Sequence, residues 1–162
     1  MRNKNNGKKK YNKSFPLAPW LLFIYLIMLF YITLFAWNYG ASFGQVGPGG
    51  RNYNLKVFYS IYRIAVYSKD IGDPIRILLG NIVLFIPFGF LFPMFLERFR
   101  QSKKPVGIIL VTFIAMLLSC SIEMTQFIFT YRVANIDDVI LNTTGGFIGV
   151  IMYRIVRMIK II

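Results

Sequence analysis

The sequence predicts an all-α membrane protein of four transmembrane helices, with both ends in the cytoplasm and a long amphipathic extracellular loop between the first and second helices. Three observations predict it. Hydrophobic residues make up 56% of the 162 residues and aromatics 17%, against only six acidic side chains, a balance far from that of a soluble domain. The apolar residues gather into four long runs, each close to or above the about 20 residues a helix needs to cross hydrocarbon. Basic residues, finally, collect beside alternate runs.

The chain opens with a basic cytoplasmic tail, residues 1–16, carrying Arg2, Lys4, Lys8, Lys9, Lys10 and Lys13. Its Asn/Lys composition predicts disorder. The run 17–37 is longer than the about 7 to 15 residues of a secretory signal core, so it reads as an uncleaved anchor and the first span. Three more spans follow at about 75–96, 106–131 and 139–159, making 17–159 a single four-helix domain. Backbone polar groups cannot stay unpaired in lipid, so each span must be helical. Pro87 and Pro93 then imply a second span that is kinked or locally repaired, or one whose inner end Pro93 marks. Between the first two spans, GASFGQVGPGG reads as flexible and NLKVFYSIYRIAVY as amphipathic. Its tyrosines suit a membrane interface, which predicts a helix on the outer surface, with an extended loop over the bundle as the alternative.

Orientation follows from the placement of Lys and Arg. The tail, the connection holding Arg98, Arg100, Lys103 and Lys104, and the C-terminal residues Arg154, Arg157 and Lys160 share one side. The other side has only Arg51, Lys56, Arg63, Lys69, Arg76 and Arg132. The richer side is cytoplasmic by the positive-inside rule, placing the protein in a cytoplasmic membrane with both termini inside. The net charge of +13 sits in short runs beside apolar stretches, which suits anionic headgroups better than nucleic acid. With no histidine and a single cysteine, Cys120, an intrachain disulfide, a zinc or haem site and a histidine base are excluded. No metal or cofactor is expected.

The chemistry-bearing residues cluster. Ser119, Glu123, Gln126 and Thr130 share one face of the third span, with Glu123 about 12 Å below Tyr131. A carboxyl at that depth must face the bundle and find a partner. Asn81 lies about 9 Å beyond Ile75 on the second span, at a similar depth. The fourth span opens with Asp137 and Asp138, and Asn142 follows Asp138 by one turn. Helix capping alone would explain one of these two aspartates. Arg132 is the nearest cation in sequence, and Arg76 is the other candidate. Asn81, Glu123, Gln126, Asp138 and Asn142, rimmed by Arg132 and Asp137, therefore form the candidate binding site. Polar glue between helices would explain the amides well and the carboxylates badly. Gly145, Gly146 and Gly149 read as a packing surface that lets another backbone approach.

At these residues the sequence resembles the VanZ-like family of bacterial membrane proteins. GNIVLFIPFGFLFP is similar to its Asn and Pro-Phe-Gly motif, carried by Asn81, Pro87, Phe88 and Gly89; IEMTQ supplies Glu123 and Gln126; RVANIDDVILNTTGGFIG supplies Arg132, Asp138, Asn142 and Gly145. Asn135 stands where such sequences often have another aspartate, and Lys56 and Val57 replace the proline usual after the Asn-Leu of the outer loop. The resemblance implies a role in the cell envelope and in reduced susceptibility to the glycopeptide teicoplanin.

The leading expectation is a pocket in the outer leaflet that binds the lipid tail of such an antibiotic or a lipid-linked wall precursor. Besides that ligand, the bilayer and a second copy of the chain are the expected partners, and nucleic acid is not. A lipid-headgroup enzyme using Glu123 and Asp138 is the alternative. A proton- or ion-coupled transporter, which would need oligomerisation through surfaces such as Gly145 and Gly149, is the third.

Overall fold

The computed structural model describes residues 17–35, 45–46, 52–68, 72–100, 104–130 and 133–159. The basic tail, most of the glycine-rich stretch and Arg132 lie outside them. Helix α1 runs Ala18–Phe30 and continues in wider π turns over Tyr31–Phe35. The strands β1 (Gln45–Val46) and β2 (Asn52–Asn54) follow, then helix α2 (Tyr59–Tyr67), the long helices α3 (Gly72–Phe99) and α4 (Ile108–Phe129), strand β3 (Ala134–Asn135) and helix α5 (Ile136–Ile159). Among the described residues, four helices are long and apolar enough to cross a membrane: Ala18–Phe35, Pro74–Phe99, Ile108–Phe129 and Ile136–Ile159. Large apolar side chains stand bare along their length, Ile109 being 86% exposed and Phe129 79%. Water does not tolerate contiguous apolar surface on that scale, so hydrocarbon is the surrounding solvent.

The centre of the fold is a parallel pair, α3 against α5, in which glycines remove the side chains that would hold the helices apart. A Cβ added to Gly145 would lie 2.1 Å from the carbonyl oxygen of Ile82, one on Gly149 2.1 Å from that of Ile86, and one on Gly89 2.0 Å from that of Gly146. Gly146 faces the other way, where an added Cβ would lie 2.5 Å from that of Ala115 on α4. These glycines thus serve packing inside one chain, and the surface considered for oligomerisation through Gly145 and Gly149 is already covered. Helix α1 lies along α3, closing a core of Leu22, Leu29, Phe85, Phe88, Ala115 and Ile122.

Helix α3 passes through both Pro87 and Pro93, so Pro93 does not end it. Each proline lacks an N–H and deprives the carbonyl four residues earlier of its partner. The Tyr25 hydroxyl adds a donor to this stretch, bonding the Leu84 carbonyl at 2.8 Å. Near the far end of α3, Glu97 is buried and accepts from the Val106 N–H at 2.9 Å and from the Tyr153 hydroxyl at 2.8 Å. Arg157 pairs with it at 3.3 Å, and the Arg154 guanidinium bonds the Val106 carbonyl. Glu97 therefore ties the α3–α4 connection to the end of α5.

At the opposite end, where α1 and α4 finish and α3 and α5 begin, a three-stranded sheet in the order β1-β2-β3 caps the bundle. Strand β2 runs antiparallel to β1 and parallel to β3, with Tyr53 opposite Ala134 and Asn54 opposite Asn135. The amphipathic stretch after β2 does form a helix, α2. It is seated on the bundle through buried Ser60 and Ile64 and turns Tyr62 and Val66 outward.

Candidate functional site

Beneath this cap, polar side chains from α3, α4, β3 and α5 meet. Asn135 is their hub, because the β2–β3 pairing and the start of α5 at Ile136 fix it in place. Its backbone N–H donates to Glu123 Oε2 at 2.8 Å, and its Nδ2 donates to Asp138 Oδ1 at 3.1 Å. Its Oδ1 accepts from Asn54 Nδ2 at 2.9 Å, from the Ser60 hydroxyl at 3.3 Å and from the Asp137 N–H at 3.2 Å. The last bond makes Asn135 the side-chain cap of α5. Asn81 reaches in from α3 and donates to the same Asp138 oxygen at 3.0 Å. Glu123, Asp138, Asn81 and Asn135 thus form one connected group, with Glu123 7% exposed and Asn135 3%.

Asn142 lies one turn deeper. Its Nδ2 donates to Ser119 Oγ at 2.8 Å. Its Oδ1 is buried with no hydrogen-bond partner among the described residues, an acceptor whose isolation costs free energy until a donor reaches it.

Two of the sequence candidates are engaged elsewhere. Gln126 donates to the Thr33 carbonyl at 2.7 Å, in the π-turn stretch that ends α1, and so joins α4 to α1. Widened turns expose carbonyls that an ordinary helix would use internally. Asp137 is fully buried, yet its carboxylate points at α2: Oδ1 accepts from the Phe58 N–H at 2.5 Å, Oδ2 from those of Ser60 at 2.8 Å and Ile61 at 3.3 Å. It caps the loop helix, not its own. Three charge-assisted bonds plus the positive end of α2 compensate for its burial. They also hold Phe58 in a left-handed conformation, φ 62° and ψ 6°, which is unfavourable for a bulky residue.

Sequence reasoning missed Asn54, Ser60 and Asn135 as site residues. Asn135 drew notice only as a departure from a pattern. Asn54 and Ser60 lie in the connection between the first two long helices, and only the pairing of β2 with β3 brings them to the site. Arg132 lies outside the described residues, and Arg76 is exposed where α3 begins. Chemically, the group offers two carboxylates and several amides, suited to gripping a polar head rich in hydrogen-bonding groups.

Comparison with known proteins bears on this arrangement. The chain is 30% identical over 137 residues to Protein VanZ of Enterococcus faecium, an alignment covering 85% of this chain and 73% of that protein. No solved structure matches. The VanZ/LLP1 family pattern matches residues 22–157, which takes in the four long helices except the first turn of α1 and the last two residues of α5, together with the polar group beneath α2. The chain therefore belongs to the VanZ/LLP1 family.

Proposed function

We propose that this protein acts in the bacterial cytoplasmic membrane, with both termini in the cytoplasm, to lower susceptibility to teicoplanin-type glycopeptides. It does so by binding the antibiotic's lipid tail or a lipid-linked wall precursor at the outer-leaflet end of the bundle. The observation that carries the reading is the joining of Asn81, Glu123 and Asp138 through Asn135, with the unpartnered Asn142 oxygen one turn deeper. Carboxylates at membrane depth are costly, and ones brought together from separate helices mark a ligand site by default.

In this reading Asn81, Glu123, Asp138 and Asn142 engage the polar part of the ligand. Gln126 and Asp137 hold the surrounding walls. Helix α2 and strand β2 lie directly over the group, so access requires them to shift. The side-chain bonds from Asn54 and Ser60 to Asn135 are neutral and exchangeable, and a ligand offering equivalent donors replaces them at little net cost. The test is teicoplanin susceptibility of cells carrying wild type, Glu123→Gln or Asp138→Asn at equal membrane levels. Loss of protection in both variants supports the site. Protection equal to wild type in both removes it from the mechanism.

A further inference from the structure

A second feature lies in the other half of the membrane and is independent of the polar group. Between α1, α3 and α4 runs a cleft of about 440 Å³ whose lining side chains are all apolar, within the about 300 to 1,000 Å³ of typical ligand pockets. It follows α1 from Pro19 to Phe30, flanked by Phe92 and Phe95 of α3 and by Ile114 and Leu118 of α4. Eleven residues of helix rise about 16 Å, close to half of the about 30 Å hydrocarbon core. The cleft is therefore one leaflet deep. It stops one turn short of Thr33, whose carbonyl is bonded to Gln126.

That length fits a chain confined to one leaflet. Charge at the open end selects the head. Arg98, Arg100 and Lys104 are exposed there, while Glu97, the acid at that end among the described residues, is buried and paired with Arg157. Such a basic rim attracts anionic headgroups. We propose that the cleft binds one acyl chain of an anionic phospholipid drawn from the leaflet on the side of the chain's termini, its phosphate held at the basic rim.

The chain supplies its own reporter. It has two tryptophans, Trp20 and Trp37, and Trp20 is 66% exposed beside Pro19 at the cleft mouth. The Trp37→Phe full-length protein, reconstituted in phosphatidylcholine vesicles, is titrated with chain-brominated phosphatidylglycerol or with chain-brominated phosphatidylcholine. A basic rim predicts an association constant about fivefold higher for the anionic lipid, as expected for about one effective basic contact. Filling the cleft with Ile114→Phe and Leu118→Phe, with helical content checked by circular dichroism, abolishes the preference, and so does Arg98→Gln with Arg100→Gln. Equal quenching by the two lipids overturns the proposal, because any lipid then occupies the groove merely as solvent. A preference that survives cleft filling overturns it as well. So does displacement of the brominated phosphatidylglycerol by equimolar polyprenyl phosphate but not by unbrominated phosphatidylglycerol.

Discussion

Replacing Asp137 with alanine should release the loop helix while leaving the membrane bundle intact. In the native structure this carboxylate accepts from the N–H groups of Phe58, Ser60 and Ile61 at 2.5, 2.8 and 3.3 Å and is fully buried. Hydrogen bonds to a charged group contribute about 1.5 to 3 kcal/mol each. The longest of the three is weak, so two are counted, giving about 3 to 6 kcal/mol before relaxation. Water reaching the freed N–H groups and relief of the left-handed Phe58 recover part of this, leaving about 2 to 4 kcal/mol of lost local stability. At about 1.4 kcal/mol per factor of ten, the open state of α2 becomes about 30- to 700-fold more populated. Hydrogen–deuterium exchange in nanodiscs reads this directly, since local opening governs amide exchange. Amides in 60–67 should exchange faster by at least about 30-fold, while those of 111–118 in α4 should not change. Unchanged protection at Ser60 and Ile61 would refute the view that Asp137 holds α2 in place.

Other consequences follow from the same geometry. Gly89→Ala should destabilise the fold by more than the about 1 to 3 kcal/mol typical of overpacking, because its Cβ would meet backbone at 2.0 Å. Gly80→Ala, with nothing within 4 Å, should be neutral or stabilising by up to about 1 kcal/mol; detergent thermal melts of the two variants compare them. Tyr153→Phe deletes the hydroxyl bond to Glu97 and should cost about 1 kcal/mol, seen as a lower melting temperature. A double-mutant cycle pairing Glu97→Gln with Arg157→Gln should show a coupling of about 1 kcal/mol, scaled down for the pair's partial exposure. Asn135→Ala removes three acceptor contacts and the donor to Asp138, and should both loosen α2 in exchange experiments and reduce teicoplanin protection.

The long helices were legible because a hydrocarbon solvent imposes a crude and strong rule: uninterrupted apolar length. Only the prolines misled, since one reading let Pro93 end the second span, whereas α3 continues to Phe99. In lipid the cost of leaving the helical path exceeds that of one missing N–H bond. Within the site, helical periodicity and depth were enough to group Asn81, Glu123, Asp138 and Asn142. The direction of Asp137 was hidden, because a carboxylate in a helix's first turn ordinarily serves that helix, and only tertiary structure shows it capping another. Asn54, Ser60 and Asn135 were hidden for the same reason. Their roles depend on a parallel pairing of two very short strands, Asn52–Asn54 and Ala134–Asn135, too short to leave any alternating pattern. Glu97 could have been noticed as the lone acid on the basic side of the chain.

Photocrosslinking with a teicoplanin analogue that carries a diazirine in its lipid tail, on the full-length protein in native membranes, tests the central claim most directly. The account predicts adducts concentrated in α2 and in the opening turns of α3 and α5, competed by unlabelled teicoplanin and weakened by Asp138→Asn. Adducts spread evenly over lipid-facing side chains, indifferent to competitor and to that substitution, would contradict it.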